Sequence, residues 1–291
     1  MNLQSICAVI VTYHPTHDML ENMPDIFVQV QGMVVVDNDS GTEQLKALRA
    51  ASDSIGFHLI ENGENLGIAE ALNRGVRWAK DNGYPWVILF DQDSNITDRF
   101  VDLMFAAWES HSDRQRVCSI HPRYVHPETG REQQVWRAGD GGPVISITSG
   151  ALIPTWIFDR IGWFASEYFI DEVDSEFCYR IRAAGYLIAD SKQAILLHAA
   201  GHPKKFSFLG FNFQPGHHSA VRRYYMSRNR VVLYRKYLPV FPAWILHSIG
   251  QALRETIKCF IVEKDRARKF RNLLLGTWDG LIGRMGKREG L

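Results

Sequence analysis

Four apolar runs punctuate the first ninety-odd residues: ICAVIVTY at 6–13, MVVVDN at 33–38, FHLIEN at 57–62 and WVILFD at 86–91. Each is strand-sized and rich in β-branched residues. Helix-period segments separate them. In the clearest, 68–83, Ala71, Leu72, Val76 and Ala79 share one face and Gly83 stands where a helix stops. Continuous runs alternating with helices predict a mainly parallel sheet buried on both faces, an α/β architecture. Further on, 144–154 reads as a strand into a turn, 172–185 as a short amphipathic helix, and 194–202 as an apolar run containing His198. The rest is helical: 222–238 is basic with interleaved tyrosines, and 241–262 puts Phe241, Ile245, Ile249, Leu253, Ile257 and Ile261 on one stripe. A last segment, 265–288, carries Phe270, Leu274, Trp278 and Leu281 among basic residues. No repeat interrupts the pattern, and the change of character divides the chain into 1–217 and a helical 218–291.

Ligands of parallel sheets bind beyond the C-terminal ends of the strands. Thr12, Tyr13, Asp37, Asp39, Asp91 and Asp93 all stand at such ends. Asp91 and Asp93 flank Gln92. Two carboxylates so spaced hold a hard divalent cation, Mg²⁺ or Mn²⁺, that bridges a diphosphate; the plainer reading is a strand end whose acids cap the next helix. Asp37 can accept the N3–H of a uracil-type base, or simply serve the Asp-Asn-Asp-Ser-Gly turn in which it lies. Asp171, Glu172, Asp174 and Glu176 crowd six positions. Mutual repulsion there favours a raised carboxylate suited to general-base work, while a helix N-terminus welcomes the same acids. His198 reads as a structural histidine or as a third metal ligand. Arg228 lies four residues after Tyr224 on a basic helix, facing either phosphate or solvent.

Charge sharpens this picture. The 291 residues carry a net +1, but 1–201 hold 15 basic and 27 acidic side chains and 202–291 hold 18 and 5. The acidic part suits a metal-dependent catalyst; the basic end suits an anionic surface or its own acidic half. Cys7, Cys118, Cys178 and Cys259 are scattered in apolar contexts, which suggests buried, reduced thiols and a cytoplasmic setting. The first residues lack a basic n-region, and no apolar run approaches the ~20 residues of a membrane span. The expectation is a soluble protein or one lying on the inner membrane surface. A sugar-nucleotide nucleotidyltransferase would need a Gly-rich basic loop after the first strand, and TYHPTHD has none. A dinucleotide oxidoreductase would need G-x-G-x-x-G. A non-enzymatic membrane or nucleic-acid binder would use the basic end and leave the acidic strand ends unexplained; no nucleic-acid partner is expected.

Taken in order, VIVTYHP, VVVDNDS, ENGENLGIAEALNRGV, ILFDQDS, TSGALIP, YFIDEVDSEFCYRIRAAGY, LLHAAG and RRYYMSRNRVVLYRKY resemble the family 2 glycosyltransferases, and within them the bacterial rhamnosyltransferases. The likeness covers roughly 5–238. It implies a GT-A-type nucleotide-diphospho-sugar transferase fold with a helical basic C-terminal part. It implies that Asp37 reads the base, that Thr12 and Tyr13 lie under base and ribose, and that Asn65, Asn73 and Arg74 line the nucleotide pocket. Asp91, Gln92 and Asp93 would meet donor and metal, His198 would add a ligand, and Arg228 charge for the phosphates. Asp174 aligns with the base and Asp171 is its rival, with Glu176 behind. Val173 replaces a common Glu, and Asp39 a common Gly. The implied reaction is inverting transfer of L-rhamnose from dTDP-L-rhamnose to a saccharide or lipid-pyrophosphate-linked acceptor in O-antigen-like polysaccharide synthesis. The basic end, with Trp244, Phe260 and Trp278, is expected either to lie on anionic lipid or to pack, in the fold or in a homodimer.

Overall fold

The computed structural model describes residues 5–197, 206–208, 211–213, 218–262 and 265–291. These form two compact units. One is built from residues up to Ser166 and from Val173 onward to the end of the sheet; the other joins Glu167–Glu172 to the C-terminal helices. The hexapeptide 167–172 thus belongs with the helical unit, a division the sequence pattern does not draw.

The first unit begins with β1 (Ile6–Thr12), α1 (His17–Glu21), α2 (Met23–Phe27), β2 (Gly32–Asp37), α3 (Thr42–Ile55), β3 (His58–Glu61), α4 (Ile68–Asp81) and β4 (Trp86–Asp91). There follow β5 (Asn95–Ile96), α5 (Phe100–Glu109), β6 (Val117–Val125), β7 (Leu152–Pro154), α6 (Ile157–Ile161), α7 (Val173–Ala183) and β8 (Leu187–Leu197). One eight-stranded sheet runs β3-β2-β1-β4-β7-β6-β8-β5. The pairs among β1, β2, β3 and β4 are parallel, β7 is antiparallel to both neighbours, and β6 and β8 are parallel. The ends of β1, β2 and β4 therefore open on one edge.

The four expected strands appear within a residue or so of their apolar runs, and all seven residues of β1 are buried. The predicted face of α4 is buried as well. Gly75 lets that helix down onto the sheet, since a Cβ there would stand 2.4 Å from Val9 Cγ1. The expected strand over 144–154 shrinks to Leu152–Pro154. Locally, Tyr124 Oη donates its one hydrogen to the Ser149 carbonyl at 3.0 Å, with the Ile147 carbonyl at 3.3 Å, so a side chain rather than a ladder serves this stretch. All four cysteines are buried.

The second unit contains a hairpin of β9 (Phe206–Phe208) and β10 (Phe211–Phe213), then α8 (Ala220–Tyr237), α9 (Pro242–Val262) and α10 (Arg266–Leu281). Gly276 and Gly280 let α10 approach α8 closely: a Cβ on either would meet the Tyr224 or Arg228 carbonyl at 2.2 or 2.6 Å. Tyr224 Oη donates to the buried Asp279 at 2.6 Å. The expected stripe of α9 is only partly covered. Ile245 is buried, whereas Leu253 and Ile257 are exposed, as are Phe270, Leu274, Trp278 and Leu281 on α10. Among the described residues no helix is long and apolar enough to cross a membrane.

Candidate active site

The D-Q-D turn is tied to the neighbouring strand through its middle residue. The Tyr13 backbone N–H donates to Gln92 Oε1 at 2.7 Å, and Gln92 Nε2 donates to the Tyr13 carbonyl at 3.3 Å. This two-way amide clamp leaves Asp91 and Asp93 on either side of a fixed point. Asp91 is half-buried and Asp93 exposed. Behind them, Ser149 Oγ lies 2.7 Å from Ser94 Oγ and accepts from the Asp91 N–H at 3.4 Å. Neither serine stood out as a site residue in the sequence, although ILFDQDS and TSGALIP contain them; the signal was a small hydroxyl in each of two pieces that the fold brings together.

Asp37 is buried at the end of β2. Its carboxylate accepts from Thr12 Oγ1 at 3.1 Å, from the Ser40 N–H at 2.9 Å and from Ser40 Oγ. Asp37 thus organises its own turn, as the plainer reading expects, and is held rigidly beside Thr12. Asp39 has φ +82°, which is why Gly is common there and why Asp, tolerant of the left-handed region, is accepted.

Asn38, also overlooked, is the hub of the next loop. Its Oδ1 accepts from Asn62 Nδ2 at 3.1 Å and from the Leu66 N–H at 3.0 Å, and its Nδ2 donates to Asn65 Oδ1 at 3.1 Å. Arg74 joins by donating to Asn62 Oδ1 at 2.9 Å. Asn65 and Arg74 are thus brought to the edge where Thr12, Asp37 and Asp91 lie.

Two expected site residues have other work. Asn73 is buried. Its amide donates to the Phe164 carbonyl at 2.8 Å and Ser166 Oγ at 3.1 Å while accepting from the Phe164 N–H at 2.9 Å. Every polar atom it owns is used to anchor the segment around 164, so it does not line the pocket. Arg228 is fully buried in the second unit. It donates to the carbonyls of Gly286, Glu167 and Tyr168 and stacks on Tyr225 at 4.8 Å. Burial among carbonyls, not exposure to phosphate, explains this arginine.

Of the acidic cluster, Glu176 is buried and bound to Arg180 at 2.6 Å, which removes it as a base. Asp174 sits half-buried in the first turn of α7, where its Oδ1 accepts from the Ser175 N–H at 2.7 Å. Asp171 belongs to the second unit and is paired with Arg222 at 2.9 Å. Burial pushes its carboxyl above the usual range, opposed by Arg222. The backbone there is strained: Phe169, Asp171 and Glu172 all have φ between 62° and 65°. Burial pushes the Tyr124 phenol well up, and the negative charges of Asp91 and Asp174 add to the shift.

His198 lies outside the described residues. Among the described residues no three His, Cys, Asp or Glu gather as a metal cage. Asp91 and Asp93 nevertheless suit a hard cation: Mg²⁺ is ordinarily held by one or two carboxylates together with substrate phosphates and water.

Residues 7–165 match the family described as glycosyl transferase family 2. The chain belongs to glycosyl transferase family 2. A family relative, dTDP-rhamnosyl transferase RfbF of Shigella flexneri, is 29% identical over 97% of both chains. Solved structures agree on the GT-A type of fold. TarS 1–349 of S. aureus matches with TM-score 0.57 at 11% identity, covering 96% of this chain and 72% of that one. Mannosyltransferase PcManGT from Pyrobaculum calidifontis, in complex with GDP-Man and Mn²⁺, matches with TM-score 0.57 at 15% identity, covering 96% and 88%. As a family 2 member the chain is a glycosyltransferase, and the nucleotidyltransferase and non-enzymatic readings are not favoured.

Proposed function

We propose that this glycosyltransferase moves L-rhamnose from dTDP-L-rhamnose to a saccharide or lipid-linked saccharide acceptor in cell-surface polysaccharide synthesis, with inversion at the anomeric carbon. The observation that carries the choice of sugar is the end-to-end likeness to a dTDP-rhamnosyl transferase. The edge formed by Thr12, Asp37, Asn65 and Arg74 supports a nucleoside at the ends of β1 and β2, with its diphosphate reaching Asp91 and Asp93 at the end of β4.

Asp174 takes the proton from the acceptor hydroxyl as its oxygen bonds to the anomeric carbon. The bond from that carbon to the diphosphate oxygen breaks, and the nucleoside diphosphate leaves with the electron pair. One displacement by one base gives inversion. A divalent cation, Mg²⁺ or Mn²⁺, held by Asp91 and Asp93 would neutralise charge on the departing diphosphate. Gln92 keeps the two carboxylates in register with β1 through the Tyr13 backbone. Asp171 remains the rival base, although its pairing with Arg222 favours a structural part.

The C-terminal unit supports peripheral contact with anionic lipid on the cytoplasmic face. Exposed Phe270, Leu274 and Trp278 of α10 share a helix with Arg266, Arg268 and Arg271.

Calorimetric titration of dTDP, UDP and GDP, each with and without Mn²⁺, into wild type and Asp93→Ala tests the donor reading. Metal-dependent dTDP binding that the variant loses is the expected result. Preference for UDP would discard rhamnose and keep the transferase. No binding of any of the three to folded protein would remove the donor site altogether.

A further inference from the structure

The hexapeptide 167–172 holds a backbone that its own residues do not favour. Phe169, Asp171 and Glu172 are left-handed, at φ 65°, 65° and 62°, and none is glycine. L-residues avoid that region unless their surroundings over-determine it. Here the surroundings come from α8. Asn229 is fully buried, and its Nδ2 lies 2.9 Å from the Tyr168 carbonyl, 2.7 Å from that of Ile170 and 2.9 Å from that of Asp171. Its two amide hydrogens are therefore shared among three acceptors. The carbonyls converge on one point, where their partial negative charges would repel one another without a donor between them.

Arg228 decides which way the amide faces. Its Nε donates to Asn229 Oδ1 at 2.9 Å, so the Nδ2 end must point at the carbonyls. The hold extends to either side of this centre. Arg222 pairs with Asp171 at 2.9 Å, Arg230 pairs with Glu172 at 2.8 Å, and the Phe169 ring stacks on Tyr225 at 5.1 Å. The chain meets nearby left-handed turns with glycine, at Gly162 and Gly185. In the hexapeptide it spends a buried amide on the same need. The segment so held runs straight into α7: Val173 alone separates Glu172 from Asp174.

We propose that Asn229 is a positioning residue for transfer. By gathering the Tyr168, Ile170 and Asp171 carbonyls on one donor, it fixes the left-handed backbone that carries the chain into α7, and so sets where the Asp174 carboxylate stands for the acceptor proton. The proposal rests on the reading of Asp174 as the base given above. Asn229 itself touches neither sugar nor nucleotide. Asp could not replace it, because a carboxylate would face three carbonyls with no hydrogen to share.

The test uses the full chain with Mg²⁺ and dTDP-L-rhamnose, and reads the dTDP released with water and octyl α-L-rhamnopyranoside as acceptors. Asn229→Ala should lower kcat roughly 10–100-fold and leave the donor KM within about twofold, the signature of a misplaced group rather than a lost binding contact. Phe169→Ala removes a half-buried ring stack and no charge, so it keeps the test decisive should Asn229→Ala fail to fold. It should lower kcat roughly threefold or more, again at constant donor KM. In an Asp174→Asn background neither substitution should slow release further, since the group they position is gone; general damage to the fold would slow it by the same factor again. Full additivity, a donor KM that rises as kcat falls, or an unchanged kcat overturns the positioning role. If Asp174→Asn alone keeps the wild-type kcat, the base reading fails instead and the positioning role goes with it. Wild type that binds dTDP but releases none from dTDP-L-rhamnose refutes the proposed donor, with the same consequence.

Discussion

The two halves of the sheet are built on different plans. From β3 to β4 the strands are parallel, β1, β2 and β4 are apolar and buried at nearly every position, and the loops at their ends are knitted by amides: Gln92 to Tyr13, and Asn38 to Asn62, Asn65 and Leu66. From β7 to β5 the directions are mixed, the register of β6 against β8 shifts twice, and hydroxyls and ion pairs surround an open cavity. The contrast teaches that amides tying neighbouring loops together set an edge before any ligand arrives, whereas an irregular, polar edge keeps room to adjust.

The largest effect should come at α7. Asp174→Asn removes the proposed base, and transfer should drop roughly 10²–10⁴-fold while dTDP affinity is kept. Comparing turnover with calorimetry checks it; equal loss of both would move Asp174 to the binding side. The cavity half should be the acid-sensitive one. Burial holds His121 down at about 4, well below its ordinary 6.5. The unfolded chain therefore binds an extra proton between those values. Stability from this group is complete above pH 6.5 and is lost as pH falls toward 4, by about 3 kcal/mol at most. Chemical denaturation from pH 7.5 to 4.5 should show that slope in wild type and a flatter one in His121→Gln. In the amide-knitted half, Asn38→Ala leaves the Leu66 N–H without its partner. It should cost about 1–3 kcal/mol and weaken dTDP binding, readable by denaturation and calorimetry. Asp39→Gly should matter least. It relieves a left-handed residue and shifts stability by about 1 kcal/mol or less.

These same differences decided what could be read from the chain. Strands β1, β2 and β4 were legible because ICAVIVTY, MVVVDN and WVILFD carry apolar runs buried on both faces, and β3, a partly exposed edge strand, because Phe57, Leu59 and Ile60 stand between turn and helix signals. Strand β6 was not, because His121, Pro122 and Arg123 break its pattern; the shift of register falls at that point. The stretch 144–149 looked like a strand because Val144, Ile145 and Ile147 alternate with small residues, but a phenol from β6, rather than a ladder, serves it. Among the candidate site residues, Thr12, Tyr13, Asp37, Asp91, Gln92 and Asp93 could be placed along the edge because strand ends fix that position. Asn73 and Arg228 could not, since neighbourhood in a motif does not say where an amide or guanidinium points. Asn73 reaches across 91 residues to Phe164. Asn38 was hidden in a turn-forming sequence, where its type is ordinary and only its partners are unusual.

Arg228 makes the residues after α10 part of the fold. Its guanidinium is wholly buried, and one of its carbonyl partners is that of Gly286, whose own N–H donates to the Glu167 carbonyl at 2.7 Å. Arg288 then reaches Asp279 at 2.6 Å. The segment 283–288 therefore works as a clasp. It closes over a cation and fastens the 167–172 hexapeptide, which carries Asp171, to α8. A variant shortened to residue 282 would leave that guanidinium short of an acceptor inside the protein, and the strained backbone from Phe169 to Glu172 would lose a fastening. Damage at the far end of the chain would thus be felt in the hexapeptide that leads into Asp174.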